Sequence, residues 1–524
     1  MTQPVAAADA ASTYDAIPYE SNPFGFTSPE HLASIAGLFG LPAVDPAHCR
    51  VLELGCASGG NLLPLAALFP DSRFVGIDAS AAQVADGQAQ VAELGLGNIS
   101  LETRDIMTLA FDGEPFDYII CHGVYSWVPL AVQHSILELC RTLTHRNSVC
   151  YVSYNTYPGW HLRGSVREMM NYHARGFDND RERIGQARAL LNMLVEAAPA
   201  DNAYGQLLRE ELNILRERAD SYLFHEHLET NNTPLYFHEF AERVEAAGLR
   251  YLGEASISSM LPHGFSPEIR ETLARIAPDI IRHEQYLDFL RNRTFRRTLL
   301  CHADTELDRD IGAKTIADYR VSALLRHVQP APDEEAVGRA FSHITGIHVT
   351  AHAPIEQSVL SALADNMPCT LSIAELTATA RRDCGIGEED STVMEQVGSL
   401  VLECAANGLA ELHRYPDRYT IDFGAQPCAT DFARWQVGKF GWATNQRHNR
   451  VDLAPFEAAL LTLVDGTRDR AALSQAMHDK VLSGALHMFV QGERVQTPEE
   501  IDELMPGALD LGLRRLAGNM LLIA

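Results

Sequence analysis

The chain has 524 residues, 46% of them hydrophobic and 21% charged, too many for one compact core and typical of several globular domains. Its formal net charge of -27, from Asp+Glu 69 against Lys+Arg 42, argues against a nucleic-acid binder, because phosphate backbones are held by cationic surfaces. Such a field suits a Lys/Arg-rich partner better. No apolar run is long enough to cross a bilayer. The N-terminus, MTQPVAAADAASTYDAIPYE, has no basic region followed by an apolar core, so we expect a cytoplasmic protein. Ten Cys are scattered without a Cys-x-x-Cys pair, which points to buried small hydrophobes rather than a zinc site.

In chain order, Arg50 to Leu54 is a short apolar run, followed by Gly55, Gly59 and Gly60 and then a helical pattern from Leu62 to Phe69. RFVGIDAS predicts a second strand ending in Asp78, and a helix follows from Ser80 to about Leu94. NISLETRDI predicts a third strand reaching Asp105. A fourth runs from Phe116 to about Cys121, a helix from Leu130 to Leu143, and a fifth strand through SVCYVSYN. Strands alternating with helices predict a parallel α/β sheet whose ligand lies at the carboxyl ends of the strands.

Those ends carry the candidate site. After strand one come Glu53, Gly55, Cys56, Gly59 and Asn61, in a loop of small residues that lets a ligand approach the backbone. Asp78, with Ala79 beside it, ends strand two, where a carboxylate can accept from both hydroxyls of a ribose. Asp105 and Ile106 end strand three, where they can face an adenine edge. A dinucleotide site wants G-x-G-x-x-G to meet a pyrophosphate. Here Ala57 stands at the middle position, and the ordered acids fit S-adenosylmethionine, which has no pyrophosphate. After strand four come His122, Gly123, Tyr125 and Trp127; after strand five come Tyr154, Tyr157, Trp160 and His161. As a set they predict an aromatic wall at the methyl-accepting end, with His122, Tyr125 and Tyr154 as the catalytic candidates. Tyr14, Tyr19 and Phe24 are expected to fold over the cofactor as a lid. His225, Glu226, His227, Glu229, His238 and Glu239 lack the His-Glu-x-x-His spacing, so no metal is expected.

VLELGCASGGNLLPLA, FVGIDAS, FDYIICHGVYSWVP and YVSYNTYPGWHLRGSVREMMNYHA together closely resemble the bacterial class I methyltransferases that carry a methyltransferase regulatory domain. That group includes the rickettsial protein-lysine methyltransferases that act on outer-membrane proteins. The resemblance continues through LFHEHLETNNTPLYFHEF and FLRNRTFRRTLLCH. It implies a Rossmann-like class I domain, S-adenosylmethionine as cofactor, a homodimer, and lysine side chains of a protein as acceptor. It also implies that Glu53, Gly55, Gly59, Asp78, Asp105 and Ile106 line the cofactor, and that His122, Gly123 and Tyr125 sit at the methyl-transfer end. A small-molecule acceptor, or a catalytically silent regulator on the same scaffold, are the alternatives.

The remainder reads as mostly helical α+β domains. We expect a methyltransferase domain over 1–165, a regulatory and dimerising domain over 166–303, a connector with a winged-helix-like module over 304–425, and a small helical domain over 426–524. The winged-helix reading rests on helices near 354–365, 372–381 and 392–407 with LAELHRYPDRYTI as a hairpin-like wing. Its third helix contains no Arg or Lys, so we expect a protein contact rather than DNA binding.

Overall fold

The structure is a computed structural model; it describes residues 17, 20–111, 113–262, 264–329, 338–490, 493–495 and 497–524. Tyr14 and Tyr19, two of the three expected lid residues, lie outside the described residues. The chain divides into two compact units, one of residues 1–21, 41–66 and 70–307, the other of residues 22–40, 67–69 and 308–524.

The first unit is built on a seven-stranded sheet. Its strands are β1 (Arg50–Leu54), β2 (Arg73–Asp78), β3 (Ile99–Thr103), β4 (Phe116–Cys121), β5 (Thr144–Asn155), β6 (Leu249–Glu254) and β7 (Phe295–His302), in the order β3-β2-β1-β4-β5-β7-β6. The first five pair in parallel, and β7 runs antiparallel between β5 and β6. Helices α1 (Leu62–Leu68), α2 (Ala81–Leu94) and α3 (Leu130–Thr142) make the crossovers between parallel strands. The ends of α2 are local chemistry: the Ser80 hydroxyl accepts from Gln83 N, and Gly95 closes the helix at φ 65. The core runs through Leu52, Leu54, Ile77, Ile119, Cys121 and Val152, all fully buried between strands and helices.

The first two expected domains share this sheet. After β5 the chain makes the helices α4 (Gly159–Ala174), α5 (Asp180–Ala197) and α6 (Ala203–Arg216) and one π-helical turn, Phe224–Leu228. It then returns through α7 (Phe237–Ala246) to supply β6, and through α8 (Ile280–Arg291) to supply β7. The boundary at 165 therefore cuts the sequence but not the sheet. β7 is anchored by Arg296, which is fully buried and bonds Glu254 of β6 at 2.7 Å, and Asp288 at 2.8 Å and Glu284 at 3.0 Å, both of α8.

The second unit contains helices at Pro354–Asp365, Ile373–Cys384 and Thr392–Ala406 beside a three-stranded sheet. In that sheet Glu411–His413 pairs with Arg320–Ser322, so the expected terminal hairpin is instead one strand pairing far back in the sequence. Further helices at Asp431–Phe440, Pro455–Leu461, Arg470–Leu482 and Pro498–Gly518 follow, with a hairpin at 442–452 and Phe489–Val490 paired antiparallel with Glu493–Arg494. Helix Pro29–Leu38 packs into this unit, where Tyr319 donates to Ser34 O at 2.8 Å. Phe24 also belongs to this unit and precedes a short 3-10 turn. No helix among the described residues is long and apolar enough to cross a membrane.

Candidate cofactor and methyl-transfer site

The carboxyl ends of β1, β2 and β3 bring the predicted residues together. β1 ends beside β2, with Glu53 opposite Gly76, and the loop turns at Gly55 with φ 80 and at Gly59 with φ 78. A Cβ on Gly55 would overlap the Val124 side chain, so glycine lets the loop after β1 touch the loop after β4. Gly60 N donates to Ser21 Oγ at 2.7 Å, and a Cβ there would overlap the Ser21 backbone. Ser21 thus braces the glycine loop, a contact no sequence motif signals.

Two carboxylates hold this loop. Ala57, itself at φ 49, donates its N–H to Asp78 Oδ2 at 2.9 Å, and Ser80 N donates to Asp78 Oδ1 at 2.9 Å. Glu53 is buried, with Asn61 Nδ2 donating to its Oε1 at 2.9 Å, while its Oε2 has no hydrogen-bond partner among the described residues. Burial pushes the Glu53 carboxyl up to about 8, against the pull of Asn61 and with the help of nearby Asp78. A cationic ligand group fits such a carboxylate: it supplies both the missing donor and the charge that lets it ionise. An S-adenosylmethionine ammonium is such a group. Burial, with Glu53 and Asp78 nearby, pushes the Cys56 thiol well up and leaves it a small hydrophobe. Ala79 is exposed next to Asp78.

Asp105 stands two residues past β3 and caps a 3-10 turn over Ile106–Thr108, its carboxylate accepting from Met107 N at 2.9 Å. Its side chain is exposed, and Ile106 packs half-buried against the core.

His122 and Gly123 follow β4. Gly123 N donates to Ser153 Oγ at 2.8 Å, and His122 Nδ1 lies 2.9 Å from Tyr151 OH and 3.2 Å from Ser153 Oγ. Burial, with Arg297 nearby, pushes His122 down to about 3, so its imidazole is neutral near pH 7. Phe295 meets it edge-on at 6.2 Å between centroids. Tyr151, Ser153, Phe295 and Arg297 were not among the sequence candidates. The last two sit at the start of β7, more than a hundred residues downstream of β5, in FLRNRTFRRTLLCH, which carried the resemblance but no assigned role.

Tyr125 and Tyr154 occupy a different environment. Tyr125 has no exposed surface and Tyr154 only 1%. Tyr154 stacks on Phe240 of α7 at 4.1 Å, and Tyr125 meets the same ring edge-on at 5.3 Å. Burial pushes both phenols up. Both were expected in the acceptor wall; here α7 covers them and they pack in the core with Phe240. Trp160 is likewise buried. Of the His and Glu residues at 225–229, His227 Nε2 lies 3.0 Å from Glu211, with burial holding His227 toward its neutral form, and His225 Nδ1 lies 3.0 Å from Glu229. Arg163 pairs with Glu211 at 3.0 Å, and that pairing with His227 and Arg163 pulls Glu211 down to about 2 despite its burial.

Comparison with known proteins gives the family. A methyltransferase domain matches residues 51–146, a predicted methyltransferase regulatory domain matches 219–302, and a "PKMT, C-terminal winged helix domain" matches 425–521. The last places a winged helix in the region expected to be a small helical domain, beyond the middle module where it was expected. Its hairpin strands are only two or three residues long, too short to show an alternating pattern. The chain is 33% identical over 523 residues to the uncharacterized protein RP789 of Rickettsia prowazekii, covering 97% of this chain and 93% of that one. The structure of PKMT2 from Rickettsia typhi in complex with AdoHcy matches with a TM-score of 0.88 and 28% identity, over 97% of this chain and all of that chain. AdoHcy is the product left by S-adenosylmethionine after methyl transfer. The fold is that of a class I methyltransferase, and the cofactor is S-adenosylmethionine. The chain belongs to the S-adenosylmethionine-dependent methyltransferases that carry a methyltransferase regulatory domain.

Proposed function

We propose that this enzyme methylates lysine side chains of a protein acceptor. The observation that carries the reading is the full-length likeness to PKMT2 of Rickettsia typhi, whose name is that of a protein-lysine methyltransferase. The geometry beside His122 supports it. A lysine must lose its proton to attack, and Arg297 with the apolar Phe295 disfavours a cationic amine at that end.

When bound, S-adenosylmethionine supplies a methyl group on a good leaving group, so the chain contributes placement and electrostatics. Glu53 and Asn61 would hold the ammonium end, Asp78 with Ala79 the ribose, and Asp105 with Ile106 the adenine. Gly55, Cys56 and Gly59 let the backbone approach, and Gly123 opens the space beside His122, since a Cβ there would meet nothing within 4 Å. Tyr151 and Ser153 fix the His122 ring, whose neutral imidazole orients the acceptor amine.

Methyl-labelled cofactor and the enzyme, added to a fractionated lysate, test the reading. Label in protein, released by hydrolysis as methyl-lysine, supports it. Label confined to small molecules contradicts it.

A further inference from the structure

A surface strip of aromatic side chains begins two residues beyond β5. Tyr157 and His161 stack nearly parallel with ring centroids 3.9 Å apart. Tyr236, at the start of α7, lies 5.2 Å from Tyr157, and its hydroxyl is 3.1 Å from His161 Nε2. His238 stacks on Tyr236 at 5.7 Å. Phe289 of α8 meets Tyr236 edge-on at 6.1 Å and Tyr286 at 5.8 Å. Three separate elements thus contribute to one continuous aromatic face. Phe289 is 46% exposed, and His161 and His238 are exposed as well. A fold does not gain by holding such rings in water, and their alignment across three elements is not a by-product of one amphipathic helix.

Charge decides what the strip fits. Glu168 of α4 and Glu239 of α7 lie close enough to Tyr157 to raise its phenol, burial being the larger cause. The elements that form the strip hold no lysine, and their arginines are directed to other partners: Arg163 to Glu211, Arg167 to Glu229 O, Arg243 to Gln133, Arg282 to Asp279 and Arg291 to Ser259 O. Aromatic faces bordered by carboxylates attract Lys and Arg side chains, through the ring quadrupole and through direct charge. The chain as a whole carries a formal charge of -27, which steers a cationic partner toward it. The strip starts close along the chain to the methyl-transfer end: β5 places Tyr151 and Ser153 against the His122 ring and ends two residues before Tyr157.

We propose that the strip centred on Tyr157, Tyr236 and Phe289 docks an extended, Lys/Arg-bearing segment of the acceptor protein, holding it while one lysine enters beside His122. This rests on the lysine-methyltransferase reading above and names the recognition chemistry of its acceptor.

The test uses the full chain with AdoHcy bound and a fluorescein-labelled peptide of alternating Lys and Ser, read by anisotropy. A peptide of alternating Glu and Ser is the control. Phe289→Ala and Glu168→Gln, both at exposed positions, and Tyr236→Ala are each expected to weaken binding of the Lys peptide by about three- to tenfold, the range of one cation–π or charge contact. AdoHcy affinity is expected to stay unchanged, which shows that the variants remain folded. Unchanged Lys-peptide affinity in Phe289→Ala and Glu168→Gln together, or equal binding of the Glu peptide, overturns the proposal. A shift in sedimentation of Phe289→Ala to a smaller species also overturns it, because the strip then joins two copies of the chain. If these variants still deposit methyl groups on lysate lysines at the wild-type rate, the docking surface fails while the lysine reading stands. Label that never reaches lysine sinks that reading whatever the peptide does.

Discussion

The backbone N–H of Ala57 donates to the Asp78 carboxylate at 2.9 Å, tying the loop after β1 to the end of β2. Asp78 is therefore more than a ligand for a ribose: it shapes the loop that the ligand meets. Asp78→Ala removes this bond, the bond from Ser80 N, and the acceptor for the ribose hydroxyls together. Charge-assisted hydrogen bonds contribute about 1.5–3 kcal/mol each, so two of them imply roughly a hundredfold or greater loss of AdoHcy affinity. Titration calorimetry of the two proteins checks it.

Ala57 itself sits at φ 49, in the left-handed region that a β-carbon disfavours. Ala57→Gly relieves about 1 kcal/mol of that strain, set against the extra chain entropy of glycine. The expected outcome is unfolding at equal or slightly higher denaturant, whereas Ala57→Val unfolds earlier. Chemical denaturation of both variants measures this.

Glu53 makes cofactor binding depend on pH. Its carboxyl, ordinarily near 4.5, is held up to about 8 by burial in the protein without cofactor. Below about 8 it is mostly protonated, and an arriving ammonium favours the ionised form, so binding releases a proton. AdoHcy affinity is expected to rise with pH up to about 8 and then level off, and calorimetry in buffers of different ionisation enthalpy counts the proton. The stability consequence has the opposite sign. The folded state binds this proton more tightly than the unfolded state, so the contribution of neutral Glu53 is complete below about 4.5 and is lost as pH rises through about 8. Glu53→Gln is expected to flatten both profiles.

His122 behaves in the other direction. Its pKa falls from 6.5 to about 3 in the fold, so the stability of its neutral form is present above 6.5 and is lost as pH falls toward 3. Between pH 6 and 9 it does not titrate, so with S-adenosylmethionine saturating, which removes the Glu53 effect on binding, an acid limb in the methylation rate belongs to the acceptor amine. His122→Asn is expected to lower the rate at all pH values by about tenfold or more without moving that limb. Rates of label transfer across pH check this.

Arg296 is fully buried among Glu254, Glu284 and Asp288 and stacks 3.8 Å over Phe237. Replacing it by Met leaves those carboxylates without their central cation, at a cost of about 3–5 kcal/mol. Hydrogen exchange is expected to show the loss as faster exchange in β6, β7 and α8.

The parallel half of the sheet was readable because short apolar runs alternate with helical patterns, and the first two strands run straight into a Gly or Asp at the carboxyl end, as at Glu53-Leu54-Gly55 and Gly76-Ile77-Asp78. β6 and β7 were not readable as parts of the same sheet. Between β5 and β6 lie ninety-odd residues of helices and loops, and local periodicity carries no record of a pairing across that distance. The surroundings of the candidate site residues were hidden for the same reason. Tyr125 and Tyr154 sit at strand ends, as acceptor residues do, yet Phe240 of α7 covers them. Phe295 and Arg297 reach His122 only because β7 pairs antiparallel beside β5, with Asn155 opposite Phe295. The hairpins of the C-terminal winged helix are too short to leave a pattern.

The account stands most directly on where the methyl group goes. The wild-type chain, incubated with S-adenosylmethionine bearing a deuterated methyl group and a whole-cell lysate, is followed by peptide mass spectrometry. The account predicts deuterated methyl groups on lysine Nζ of one or a few proteins, absent when Asp78→Ala replaces the wild type. Deuterated methyl groups on a small molecule, on a nucleic acid or on another side chain, with lysine unlabelled, would contradict it.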